Sequence, residues 1–149
     1  MAEFLPARNQ KIILKHVDHT ILLVEDDPDD VLLITDALKS TSSGLTIINK
    51  KNGLEALNYL NERKSGNDLL PCLIIMDINM PVLNGKQLLA ILKNEDDFKC
   101  IPLIVFTTSS TDGDKEFCNR FDVPMVTKPN GMDAFNSTVQ RFLDHCHAI

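Results

Sequence analysis

The chain has 149 residues, of which 44% are hydrophobic and 24% charged, and its formal net charge at pH 7 is -6. This length favours one domain with a substantial core. The acidic balance argues against nonspecific nucleic-acid binding and against a basic membrane-binding face. No apolar run approaches the roughly 18 residues that a membrane span needs, and the N-terminus lacks the pattern of a secretory signal. We therefore expect a cytoplasmic protein.

The cysteines give a second indication of the compartment. None of the four forms a C-x-x-C pair, and their spacings are wide; they are Cys72, Cys100, Cys118 and Cys146. Cys72 and Cys100 border predicted strands, so we expect buried free thiols. Free thiols fit a reducing cytoplasm.

Apolar runs typical of strands alternate along the chain with periodic patterns typical of helices. Residues 1–18 precede this alternation, carry mixed charge and are expected to form a loosely held N-terminal extension. The predicted strands span 21–24, 45–48, 72–76, 102–106 and 123–126. The predicted helices begin at Pro28, after Gly53 and after Gly85, and then cover 115–121 and about 135–143.

Repeated strand–helix units predict right-handed crossovers, and hence a parallel sheet with helices on both faces. These units occupy residues 19–146, and the last helix nearly exhausts the chain. We therefore expect an α/β fold in a single domain, without an output domain.

Chemically active side chains follow four of the predicted strands. The first strand leads into Glu25, Asp26 and Asp27, and the third, fourth and fifth lead to Asp77, Thr107 and Lys128. The carboxyl ends of parallel strands share one edge of the sheet, so these side chains should converge. Clustered carboxylates repel one another, and a hard divalent cation relieves that repulsion. Mg²⁺ fits best, because it accepts one or two carboxylates together with waters and a phosphate.

Asp77 is the natural nucleophile of this predicted site, because a carboxylate can form an aspartyl-phosphate. Lys128 would pair with Asp77 at rest and could stabilise a phosphoryl group afterwards. Thr107 would offer a hydroxyl donor to a phosphoryl oxygen. Asp27, Asp29 and Asp30 are expected only to complement the dipole at the start of the first helix.

Over about residues 19–145 the sequence resembles the receiver domain of two-component response regulators, the chemotaxis-receiver-like family. The motifs that carry this resemblance are Ile21 to Asp27, Met76 to Gly85, Pro102 to Thr107, and Thr127-Lys128-Pro129. The resemblance implies a flavodoxin-like, doubly wound (βα)5 fold, with a five-stranded parallel sheet in the order 2-1-3-4-5. The long acidic loops are similar to those of the single-domain regulators that serve phytochrome-like kinases.

The resemblance also implies a role for each matching residue. Asp77 corresponds to the phosphoacceptor, while Thr107 and Lys128 correspond to the switch hydroxyl and the phosphoryl-stabilising lysine. Mg²⁺, for which Mn²⁺ can substitute, would be held by the following groups: Asp26, Asp77, the backbone carbonyl of Asn79, and Glu25 in direct contact or through a water.

The implied function is phosphorelay signal transduction by a phosphoprotein rather than enzymatic turnover. A sensor histidine kinase or a histidine phosphotransfer protein would donate the phosphoryl group to Asp77. The protein would assist its own phosphorylation and dephosphorylation, and would signal by contact with a downstream protein. Family members often dimerise through the fourth and fifth elements, so a homodimer of that kind is also expected. Neither nucleic acid nor membrane is an expected partner.

Two positions depart from the family pattern. Many receivers carry an aromatic residue three positions before the lysine, and this chain has Met125 there. Methionine can repack but lacks a rigid ring and a hydroxyl, so the aromatic half of the switch is altered. Thr108 stands where many relatives have a small residue, and would crowd the mouth of the site.

Two alternative functions share this architecture. A Mg²⁺-dependent phosphatase would also use an aspartyl-phosphate, but such enzymes usually carry a second acid two residues after the nucleophile, where this chain has Asn79. A flavodoxin-like flavin-binding module would need a phosphate-cradling loop after the first strand. The carboxylates of Glu25, Asp26 and Asp27 would repel a flavin phosphate at that place.

Overall fold

A computed structural model describes residues 19–146 of the chain, so the predicted extension at 1–18 lies outside the described residues. Within 19–146, no helix combines the length and the apolar character that crossing a bilayer requires. The strands are β1 (Thr20–Val24), β2 (Thr46–Lys50), β3 (Leu73–Met76), β4 (Leu103–Thr107) and β5 (Met125–Thr127). The helices are α1 (Pro28–Thr41), α2 (Gly53–Ser65), α3 (Gly85–Asn94), α4 (Asp112–Arg120) and α5 (Met132–Arg141), followed by a 3₁₀ turn at Phe142–His145.

The strands form one five-stranded sheet in the order β2-β1-β3-β4-β5, and all neighbouring pairs are parallel. This confirms the predicted topology. Successive residues of a strand face opposite sides of the sheet, and the core is divided accordingly. Leu22 and Val24 of β1 pack in the same cluster as α2, α3 and α4. Ile21 and Leu23 pack in the cluster that contains α1 and α5.

The three central strands explain why the sequence reads as continuous apolar runs. Every residue of β1, β3 and β4 is buried, as expected for parallel strands that are covered by helices on both faces. The last residues of β1 and β3, Val24 and Met76, pair with each other, and Met76 pairs with Val105, two residues before the end of β4. The residues that follow these strands are therefore delivered to one edge of the sheet.

Helix starts depend on local caps, which also explain one boundary error. The side chain of Asp27 accepts hydrogen bonds from the backbone N–H groups of Asp29 and Asp30, so Asp27 is the N-cap of α1 as well as a charge at the helix start. The side chain of Thr111 caps α4 in the same way. Helix α4 consequently begins at Asp112, before the predicted start at 115, because a cap can begin a helix ahead of its first apolar residue.

The cysteine prediction was wrong for Cys72, which forms a disulfide with Cys146. Cys100 is free but exposed, and Cys118 is free and buried. The paired cysteines are separated by 74 residues in sequence, so no short spacing indicates the pair. Cys72 precedes β3 and Cys146 follows the last helical turn, and the fold brings their Cα atoms within 5.1 Å. Because Cys72 and Cys146 are paired, the cysteines no longer support the predicted reducing compartment.

Gly85, the first residue of α3, lies against the backbone that carries Asp77. A Cβ atom at Gly85 would be 2.2 Å from the carbonyl oxygen of Asp77 and 2.7 Å from the Cα of Ile78. The N–H of Gly85 donates to the carbonyl oxygen of Ile78 at 2.9 Å. The absence of a side chain at Gly85 therefore lets α3 approach the end of β3 closely.

We predict that Gly85→Ala lowers the free energy of unfolding by about 3 kcal/mol, because the added methyl group meets backbone that cannot rotate away. Gly113→Ala is the matched control: a Cβ at Gly113 in α4 would have no atom within 4 Å. That substitution should raise the free energy of unfolding by about 0.5–1 kcal/mol, since alanine favours a helix over glycine. Urea denaturation measures both free energies of unfolding. Equal changes in Gly85→Ala and Gly113→Ala would contradict the close approach of α3 to the end of β3.

Candidate functional site

The ammonium group of Lys128 lies at the centre of a cluster of carboxylates. Its Nζ is 2.5 Å from Oε1 of Glu25, 2.7 Å from Oδ2 of Asp30 and 3.4 Å from Oδ2 of Asp77. The Lys128 side chain is only 6% exposed. A lysine ammonium has three N–H donors, so each donor has one carboxylate within reach.

The sheet brings these groups together. Glu25 directly follows β1, and the N–H of Asp77 donates to the carbonyl oxygen of Val24 at 3.0 Å, which holds the two acidic residues side by side. The N–H of Lys128 donates to the carbonyl oxygen of Thr107 at 2.7 Å, which extends the pairing of β4 with β5. The convergence that the sequence predicted for the strand ends is therefore present.

Three carboxylates form a group that could hold a metal ion. Glu25, Asp26 and Asp77 each offer an oxygen atom, and these atoms lie within 4.8 Å of one another. Glu25 and Asp77 are buried, and Asp26 is exposed. With Asp30, which pairs with Lys128, the site contains four carboxylates, and three of them contact the ammonium group. A hard divalent cation with oxygen ligands fits both this donor set and its excess of negative charge.

The protonation equilibria reflect the same imbalance of charge. Burial raises the pKa of Glu25 to about 7, although the hydrogen bond and the charge of Lys128 act in the opposite direction. Burial tends to lower the pKa of Lys128, but its hydrogen bonds to Asp30 and Glu25 and the charge of Asp77 outweigh burial and raise it. Lys128 therefore stays charged, while its single positive charge is shared among several acids.

The two carboxylate oxygens of Asp77 have different surroundings. Oδ1 accepts a hydrogen bond from the N–H of Ile78 at 2.7 Å and a longer one from the N–H of Asn79 at 3.5 Å. Oδ2 faces Lys128, at the longest of the three ammonium–carboxylate distances. Asp77 is thus held by the backbone on one side and is only weakly engaged by Lys128 on the other.

The remaining predicted site residues lie around this centre. Thr107 is fully buried, and its Oγ1 accepts a hydrogen bond from the N–H of Ser109 at 3.2 Å. Asn79 is exposed at the end of β3. Met125 is half-buried in β5 and packs against the core under α2, α3 and α4. Thr108 is exposed, next to Thr107.

Sequence reasoning missed Asp30. It was assigned, with Asp29, to the helix dipole, whereas its carboxylate forms an ion pair with Lys128. One signal in the sequence could have found it. Asp30 lies four residues before Ile34 and seven before Ala37, both buried in α1, so it heads the stripe that faces the sheet.

A second polar cluster adjoins the site. Asp114 of α4 forms an ion pair with Lys86 of α3 and accepts a hydrogen bond from the hydroxyl of Ser109. The hydrogen bond to Lys86, followed by that to Ser109, lowers the pKa of Asp114. Asp114 therefore connects two helices to the loop that follows Thr107. An open pocket of about 420 Å³ lies beside this cluster, lined by Ile78, Asn79, Met80, Asn84, Lys86 and Asp114.

Comparison with known proteins gives a consistent family match. The family model described as "Response regulator receiver domain" matches residues 21–140. The response regulator Rcp1 of Synechocystis sp. is 37% identical over 95 residues, which cover 63% of this chain and 65% of Rcp1. The polar-differentiation response regulator DivK of Brucella anthropi is 30% identical over 125 residues, which cover 83% of this chain and 95% of DivK.

Solved structures resemble the fold as well. The phosphorylated cyanobacterial phytochrome response regulator RcpA superimposes with a TM-score of 0.78 at 29% identity, covering 85% of this chain and 92% of RcpA. The Mn²⁺-bound form of the response regulator Rcp1 gives a TM-score of 0.77 at 30% identity, covering 87% of this chain and 96% of that structure.

We predict that Asp114→Asn lowers the free energy of unfolding by about 1 kcal/mol at pH 7, through loss of a charge-assisted contact. The folded pKa of Asp114 lies below its ordinary value of 3.8. Its contribution is therefore fully present above that value and is lost as the pH falls through the folded pKa. Asp112→Asn, an exposed change in the same helical turn, is the control. Urea denaturation at several pH values measures the difference in free energy of unfolding between the wild type and Asp114→Asn. A difference that grows as the pH falls would contradict the prediction.

Proposed function

The chain belongs to the response regulator receiver domain family, and from this premise we propose that it accepts a phosphoryl group on Asp77 in a Mg²⁺-dependent reaction. The donor is a phosphohistidine on a sensor histidine kinase or on a histidine phosphotransfer protein. The observation that carries the proposal is the position of Asp77, whose Oδ2 lies 3.4 Å from the Lys128 ammonium inside a group of three carboxylates. The relatives Rcp1 and RcpA support it, since one has been solved with Mn²⁺ and the other in a phosphorylated form.

The proposed transfer needs little covalent chemistry from the protein. An oxygen of Asp77 attacks phosphorus, the bond from phosphorus to the histidine nitrogen breaks, and that nitrogen keeps the electron pair. The Lys128 ammonium lies close enough to offset charge on the phosphoryl oxygens. Asp26, Asp77, the carbonyl of Asn79 and Glu25 are the residues that would hold the ion. When bound, Mg²⁺ supplies further positive charge to the phosphoryl oxygens.

In this proposal the phosphoryl group is read out through the loop after β4. The Thr107 hydroxyl, which accepts from the N–H of Ser109, would turn to donate to a phosphoryl oxygen. Ser109 also binds Asp114, so movement of Thr107 would reach α4 through this loop. Met125 occupies the position of the usual aromatic switch and would respond by repacking.

The resulting signal passes by contact with a downstream protein, and a homodimer through β4, α4, β5 and α5 is one form that the contact could take. Asn79 stands where a phosphatase of this chemistry has its second acid, so we propose phosphoacceptance and slow self-hydrolysis rather than turnover of phosphoesters. The protein therefore acts as a signalling component that assists its own phosphorylation.

We predict that the protein incubated with acetyl phosphate and Mg²⁺ gains one phosphoryl group, and that chelation of Mg²⁺ by EDTA abolishes the gain. Asp77→Asn should lose it completely, because an amide oxygen at this position cannot form the acyl phosphate. Asp112→Asn, an exposed acid on α4, should be phosphorylated like the wild type. Intact-mass spectrometry measures all three proteins. Equal uptake by Asp77→Asn and the wild type would refute the assignment.

A further inference from the structure

Asp30 is the residue of the cluster that the proposed transfer does not use. Its Oδ2 lies 2.7 Å from Nζ of Lys128, whereas Oδ2 of Asp77 lies 3.4 Å from the same atom. The ammonium group is thus bound more closely by Asp30 than by the proposed phosphoacceptor. We propose that Asp30 is a positioning residue that restrains Lys128 in the resting protein and releases it when a phosphoryl group arrives at Asp77. This inference rests on the proposed function.

The position of Asp30 is fixed by its helix. Its backbone N–H donates to the side chain of the N-cap Asp27 at 3.4 Å, beside the stronger bond from Asp29 at 2.9 Å. One turn further on, Ile34 is buried against the sheet and anchors α1. A carboxylate on the first turn of such a helix has little freedom to leave, so its contact with Lys128 is a built part of the resting site.

A phosphoryl group on Asp77 would compete for the ammonium. All three N–H donors of Lys128 already have a carboxylate within reach, and a lysine has no fourth donor. Donation to a phosphoryl oxygen therefore requires that one existing contact lengthen. The contact with Asp77 is already the longest of the three, and closer approach to that side requires Lys128 to move away from Glu25 or Asp30.

Burial decides which contact is released. The side chain of Glu25 is 2% exposed, and that of Asp30 is 24% exposed. Loss of the ammonium would leave the buried carboxyl group of Glu25 without its closest hydrogen-bond donor, which is costly because water cannot replace that donor. Asp30 can be hydrated again when its partner leaves, so its release is less costly. The Asp30 contact is the one that gives way, and it opposes phosphorylation until it does.

The test measures the rate at which acetyl phosphate modifies Asp77. In that reaction an Asp77 oxygen bonds to phosphorus, and acetate leaves with the electrons of the broken oxygen–phosphorus bond. At saturating Mg²⁺, Asp30→Asn should be phosphorylated about fivefold faster than the wild type, the order expected for loss of one partly exposed ion pair. Asp30→Ser is a second variant that removes the same charge.

Two controls separate positioning from a general change of charge. Asp29→Asn removes one charge from the same helical turn, and Asp29 is exposed; it should keep the wild-type rate within about twofold. In a Lys128→Ala background, whose slower reaction is followed for longer, Asp30→Asn should give no acceleration, because it acts through Lys128. Calorimetry should show that Asp30→Asn and Asp30→Ser bind Mg²⁺ with an affinity within about twofold of that of the wild type. Urea denaturation should show that all the variants are folded.

Each outcome decides between the two proposals. If the wild type takes up no phosphoryl group at Asp77, both the proposed function and the role of Asp30 are wrong. If the wild type reacts while Asp30→Asn and Asp30→Ser match it or react more slowly, only the restraint by Asp30 is wrong. Equal acceleration in the Lys128→Ala background would likewise overturn positioning, since Asp30 would then act only by its charge.

Discussion

A buried lysine ammonium requires negative charge close to it. The carboxyl ends of the strands in this sheet, together with α1, supply that charge to Lys128. Lys128 is 6% exposed and has carboxylates from three separate places in the chain within 3.4 Å. Glu25 follows β1, Asp77 follows β3 and Asp30 belongs to α1. Lys128 itself follows β5 at the edge of the sheet, two strands away from β3. Only the parallel order of the strands brings these elements to one edge, so the ion cluster depends on the whole topology.

The same cluster supports the proposal that the site accepts a cation and a phosphoryl group. One ammonium cannot neutralise the four carboxylates of this site, and burial keeps the pKa of Glu25 raised to about 7. A divalent cation relieves that excess. Of its three carboxylate partners, Lys128 lies farthest from Asp77, so the ammonium restrains the proposed nucleophile least.

The resemblance to receiver domains predicted the sheet order, and the rule that parallel strands end at one edge of a sheet predicted the convergence of Asp77, Thr107 and Lys128. Apolar runs such as that of β3 indicate strands covered on both faces, and parallel strands deliver their following residues to one edge. The Cys72–Cys146 disulfide could not be predicted in this way, because its partners are 74 residues apart and meet only through packing at the end of the chain. Asp30 was assigned to the helix dipole, although its spacing from Ile34 placed it on the buried face of α1.

In the proposed mechanism Asp77 receives the phosphoryl group and Lys128 moves towards it. The most direct test of this mechanism is a crystal structure with Mg²⁺ and beryllofluoride, an analogue of the phosphoryl group. We expect beryllium to bond to a carboxylate oxygen of Asp77, Nζ of Lys128 to donate to a fluorine, and the distance from Nζ to Oδ2 of Asp30 to increase from 2.7 Å. Beryllofluoride bound elsewhere, or a Lys128 that stays on Asp30 without touching fluorine, would contradict the mechanism.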